Sequence, residues 1–189
     1  MYYAAVEDAR VCGSTFVEFF HDEFGPLVAF LQKIGFERDQ AKDAAAEAMT
    51  CAYQSWSRIN RSPRGWVRRA AYRIACSQAR RAREESLRVV AGGWAIPPHD
   101  DLDVAEAAEE HAELLQLLQQ LPHQQRLVMA WHLDGFDTNE ISERLSMHPA
   151  TVRSTLRHAR DRLKVAYQFR SPDPLGSGMR GPVKLEGGK

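Results

Sequence analysis

Residues 137–163 read DTNEISERLSMHPATVRSTLRHARDRL, and the fold class turns on this stretch. Asp137 is placed to accept from the free amides of a helix beginning at Thr138, and Glu140 is placed to reach back to the Asp137 amide. Ile141 and Leu145 give that helix an apolar side, and Ser146-Met147-His148 makes a tight connection. Pro149 opens a second helix, at a position where its missing N–H costs nothing. On this second helix Val152, Leu156, Ala159 and Leu163 recur at spacings of four, three and four, which is one stripe at about 100° per residue. Arg153, Ser154, Arg157, His158 and Asp161 fall on the opposite side, with Arg160 and Arg162 toward the flanks. Two short helices around a three-residue turn form a helix-turn-helix. Arginine's planar fork matches the paired acceptors of guanine, and its charge serves phosphate. Arg153, Ser154, Arg157 and His158 are therefore the candidate base readers, and Arg160 is a candidate phosphate contact. A solvated cationic helix face would explain the arginines but not the turn.

Beyond this motif, charge alternates along the chain. The 189 residues carry a formal net charge of zero. Residues 1–50 hold 9 acids and 4 bases; 51–90 hold 2 and 10; 91–125 hold 7 and none; 126–170 hold 5 and 8. Such blocking suits two polyanion-facing patches with separate acidic contact surfaces. No uncharged apolar run approaches the roughly 20 residues that cross a bilayer, and acids stand where a secretory signal has its basic end. A cytoplasmic protein without membrane contact is expected.

Helical periodicity runs through nearly every segment before residue 170, so the fold class is all-α. A first helical domain is expected over 14–88, with Pro63 just inside the start of its third helix. The stretch VVAGGWAIPPHDDLD breaks the periodicity, giving a flexible linker over 89–104. A second domain covers 105–169, and a Gly- and Pro-rich disordered tail 170–189. Domains joined in this way are expected to tumble semi-independently.

The helix after Pro63 carries the second arginine block. Trp66, Val67, Ala70, Ala71 and Ile74 make its apolar side, while Arg69, Arg73, Cys76, Arg80 and Arg83 share another; Arg81 turns nearer the apolar side. The loop SWSRINRSPRG before it sets arginines beside Trp56 and Trp66, a combination that suits stacked single-stranded bases and a held backbone, although both tryptophans also fit a core. Arg69, Arg73, Arg80 and Arg81 are the candidate backbone contacts. Asp43 and Glu47, four apart on the preceding helix, suit arginines of a partner helix.

The combination of AKDAAAEAM, WVRRAAYRIACSQARR and LPHQQRLVMAWHLDGFDTNEISERL with the helix-turn-helix resembles the extracytoplasmic-function sigma factors, of the sigma-70 family of bacterial RNA polymerase, over about residues 14–167. The resemblance implies a region 2-like domain that binds the clamp helices of core RNA polymerase through Asp43 and Glu47 and melts the minus-10 element. It also implies a region 4-like domain that reads the minus-35 element and meets the polymerase flap. Promoter DNA is then the second partner, and the resemblance leaves room for an anti-sigma factor. Ala46 stands where the family usually has glutamine and Met49 where it has an aromatic; Arg73 and Ser77 replace a common asparagine and aspartate.

A stand-alone helix-turn-helix regulator is the alternative, and it leaves the upstream arginine ridge unexplained. Enzymatic activity is not expected. The seven histidines form no metal spacing, EEHAEL lacks the HExxH pattern, and no Gly-rich phosphate loop is present. No cofactor or metal is therefore assigned. Cys12, Cys51 and Cys76 form no CxxC pair and are expected to be reduced and structural.

Overall fold

Helix boundaries follow from local capping. In the computed structural model, which describes residues 15–59, 61–91 and 109–170, Thr15 and Glu18 close a capping box that starts α1 (Phe16–Ile34). Gly35 ends it in the left-handed region at φ 112°, a conformation that glycine adopts without strain. Helix α2 (Arg38–Gln54) packs its small residues Ala41, Ala44, Ala45, Ala48 and Ala52 inward, and these let α3 (Pro63–Ala91) approach closely. A single 3-10 turn, Trp56–Arg58, links α2 and α3.

The second group comprises α4 (Glu109–Gln119), α5 (His123–Leu133), α6 (Thr138–Leu145) and α7 (Pro149–Arg170). All regular structure among the described residues is helical, as the periodicity requires. Helix α3 runs to Ala91, so the expected linker begins later than residue 89. Its remainder from residue 92, the start of the second domain up to residue 108 and the tail 171–189 lie outside the described residues, as does Cys12.

The two groups do not stand apart. Helix α1 packs against both α4 and α5 as well as against α2 and α3. Buried Leu27, Phe30 and Leu31 from the first group belong to one contiguous apolar cluster with Leu118, Val128, Met129 and Trp131 from the second. Phe30 meets Trp131 edge-on, with ring centroids 5.1 Å apart. The expectation of semi-independent tumbling is corrected by this packing. Linker composition alone suggests freedom, but α1 and α5 each keep a second apolar side that is buried only when the groups meet.

Candidate nucleic-acid interface

The helix-turn-helix forms as its sequence directs. Asp137 Oδ1 accepts from the amides of Asn139 and Glu140 at 2.7 and 2.9 Å, and Glu140 Oε2 accepts from the Asp137 amide at 2.8 Å. Ser146 ends α6 in the left-handed region at φ 53°, turning the chain sharply toward α7. The Ser142 hydroxyl donates to the Met147 carbonyl at 2.6 Å and holds the turn. Ile141, Val152, Leu156 and Ala159 are buried and Leu163 is half-buried, which fixes the rotation of α7.

That rotation presents Arg153, Arg157, His158, Arg160 and Arg162 to solvent, with Ser154 half-buried. The Ser154 hydroxyl donates to the Thr151 carbonyl at 3.0 Å, so its donor is engaged within the helix. Arg160 Nη2 lies 2.8 Å from His132 Nε2 on α5, which anchors this guanidinium to one side, while Arg157 Nη2 lies 3.5 Å from its neighbour His158. The result is a cationic helix face on a rigid turn.

On α3 the expected ridge is also exposed at Arg69, Arg73, Arg80 and Arg81. Arg80 carries a surface ion pair with Glu84 at 3.9 Å, and Cys76 next to the ridge is an exposed free thiol. On α2, Asp43 and Glu47 are both exposed; Glu47 Oε2 accepts from Gln78 of α3 at 2.9 Å. The sequence-level apolar side of α3 needs one correction. Trp66 is 36 % exposed, whereas Arg68 is fully buried in line with Val67, Ala71 and Ala75. Trp56 instead packs between Phe16 and Phe19, at 5.3 and 4.9 Å between centroids.

Arg68 escapes a reading of the sequence because a fully buried arginine is rare unless it is paired. Its pairs come from far along the chain. Arg68 Nη1 is 2.8 Å from Glu23 Oε2 on α1, and Arg68 Nε donates to Asp134 Oδ2 at the end of α5. Arg64 Nε pairs with Glu23 Oε1 at 2.8 Å, and Lys33 Nζ with Asp134 Oδ1 at 3.5 Å. Further along the same seam, Arg144 of α6 reaches Ser62 and sets its guanidinium 4.6 Å above the Phe136 ring. The Tyr72 hydroxyl lies 3.1 Å from His123 Nε2. Burial, reinforced by a hydrogen bond with Cys76, pushes the Tyr72 hydroxyl up to about 12, so it remains a protonated donor at ordinary pH.

The arrangement can hold polyanion on two separate helices, α7 and α3. Residues 111–163 match the family model described as Sigma-70, region 4. The sigma factor RpoE from Bartonella quintana, in complex with the anti-sigma factor NepR, has a similar fold, with a TM-score of 0.62 and 17 % identity over 82 % of this chain and 98 % of that one. CnrH, in complex with the cytosolic domain of CnrY, is similar at a TM-score of 0.61 and 15 % identity, covering 88 % of this chain and 97 % of that one. No curated protein matches the sequence. Fold and site together define a two-part, all-α architecture with a helix-turn-helix at its second end. More particularly, residues 111–163 match sigma-70 region 4, and the chain as a whole has a fold similar to those of the sigma factor RpoE and of CnrH. Among the described residues no helix is long and apolar enough to cross a membrane.

Proposed function

We propose that the chain is a sigma factor that brings core RNA polymerase to particular promoters and assists melting of the DNA there. One observation carries this reading: the exposed arginine face of α7 lies within the segment that matches sigma-70 region 4. In this role Arg153 and Arg157 read base edges of the minus-35 duplex, with Ser154 and His158 beside them, and Arg160 holds phosphate. Arg69, Arg73, Arg80 and Arg81 hold the backbone of the minus-10 strand. The exposed carboxylates of Asp43 and Glu47 face the polymerase clamp helices, and the region 4 domain meets the flap. The fold likeness to a sigma factor bound by an anti-sigma factor supports a partner of that kind here. The protein performs no chemistry itself; polymerase does.

The test mixes the purified full chain with core RNA polymerase. Co-elution, followed by initiation from one defined start site, is the expected result. Absence of both sinks the proposal, and tight, sequence-selective duplex binding that core polymerase leaves unchanged favours a stand-alone regulator.

A further inference from the structure

We propose that the groove where α3 faces α5 and α6 is a binding site for a small nucleotide, a nucleoside bearing at least two phosphates, held through those phosphates by Arg69, Arg73 and Arg144. The binding itself stands apart from the proposed function; only its consequence for DNA rests on that reading.

The arginines of α3 differ in what neutralises them. Arg64 and Arg68 meet the carboxylates of Glu23 and Asp134, and Arg80 meets Glu84. Arg69 and Arg73 have no carboxylate at ion-pair distance among the described residues. They stand four apart on α3, one turn above the other, where like charges repel unless an anion lies between them. The groove they line contains no acidic residue. Arg144 adds a third guanidinium from α6, paired at 3.8 Å with Glu140 of its own helix. Cations gathered in a cleft raise the local concentration of anions, and the planar fork of each guanidinium offers phosphate two parallel donors. Gln124 and Ser146, both exposed, bring further amide and hydroxyl donors. Trp131 also lines the groove; it is fully buried, and its indole N–H has no acceptor among the described residues. The lining is rich in donors and poor in acceptors, the complement of a phosphorylated ligand.

The rest of the groove suits the other half of a nucleotide. Leu127 of α5, with Leu145 and Met147 around the end of α6, is half-buried and gives an apolar surface for the flat face of a base. The volume of about 380 Å³ falls within the roughly 300–1,000 Å³ of small-molecule sites, which admits a lone nucleotide rather than a length of strand. Arg69 and Arg73 are also two of the four arginines assigned to the minus-10 strand. A bound nucleotide therefore competes with the strand for them.

The experiment titrates the full chain with GDP, ADP and inorganic pyrophosphate by isothermal titration calorimetry. The nucleotides should bind, and pyrophosphate should bind about tenfold more weakly because it leaves the apolar surface unfilled. Binding by one nucleotide alone supports the site and identifies the base. Arg73→Gln removes a charge-assisted hydrogen bond, and Gln124→Glu sets a carboxylate in a groove that has none; each should weaken nucleotide binding by about tenfold. Both positions are exposed, so thermal unfolding followed by circular dichroism should be unchanged. Arg83→Gln removes an exposed charge of the same helix outside the groove and should leave nucleotide affinity unaltered. Absence of binding by both nucleotides overturns the site. Pyrophosphate bound as tightly as the nucleotides overturns the nucleoside assignment, and affinity that both groove variants leave intact overturns the location. A loss with Arg83→Gln equal to that with Arg73→Gln makes the attraction diffuse and overturns the groove as well. Saturating nucleotide should then weaken binding of a fluorescein-labelled single-stranded oligonucleotide, read by anisotropy; unaltered strand affinity overturns the competition. The calorimetry contains neither DNA nor polymerase, so failure of the proposed function in the co-elution experiment is read separately.

Discussion

Helices α3 and α7 are both rich in arginine, yet they use it in opposite ways. On α7 Arg153, Arg157, Arg160 and Arg162 all point to solvent, and alanine, valine and leucine do the packing. On α3 the arginines divide: Arg69, Arg73, Arg80 and Arg81 are exposed, while Arg64 is largely covered and Arg68 is wholly buried among carboxylates. A basic helix is therefore not a binding face by composition alone. What surrounds each guanidinium decides whether it is available to a phosphate or engaged in holding the protein together.

Removing Arg68 puts this contrast under the greatest strain. Arg68→Leu leaves Glu23 and Asp134 buried with only Arg64 and Lys33 to neutralise them, and a destabilisation of about 3–5 kcal/mol is expected, nearer the lower figure because those two cations remain. Urea denaturation followed by circular dichroism measures it; a change below about 1 kcal/mol would show that the pair geometry matters little. Arg153→Ala and Arg157→Ala should each leave stability within about 0.5 kcal/mol. Their expected cost lies in recognition, about 1–3 kcal/mol of discrimination among upstream-element variants if each is bidentate to guanine. Equal weakening on every sequence would instead make them phosphate contacts.

Neutral replacement of Arg69, Arg80 and Arg81 probes the outer side of α3. The log-log salt dependence of single-strand binding should flatten by roughly 0.7 for each phosphate that is no longer neutralised. Arg80 should contribute least, since Glu84 already competes for it. Unaltered promoter melting by the triple variant, followed by permanganate reactivity of unpaired thymines, contradicts the assignment. The smallest effect expected is local. Asp137→Ala removes the cap of α6 and should cost about 1 kcal/mol in thermal unfolding, with a modest fall in duplex affinity as the turn loosens.

Much of the candidate site is legible in the sequence because its determinants are local. The Asp137 and Glu140 capping box, the Ser146-Met147-His148 turn and the stripe from Val152 to Leu163 each involve residues within a few positions of one another. Once the stripe is buried, the exposure of Arg153 and Arg157 follows from helical rotation. The same reasoning misplaces Trp66, since on α3 the inward side is set by what α1 and α5 bring to it.

The order of amino acids dictates the helical class, the helix-turn-helix and the two arginine-bearing helices, all consequences of a 3.6-residue period and of capping chemistry acting over a turn or two. That the two groups close on each other, and that Arg68 lies at the centre of the seam, emerges only when the helices pack. Its partners Glu23 and Asp134 stand 45 and 66 residues away. Nothing periodic links residues so far apart. Whether an arginine is solvated or buried depends on the carboxylates that the packing of other helices carries to it, and that is a property of the assembled core.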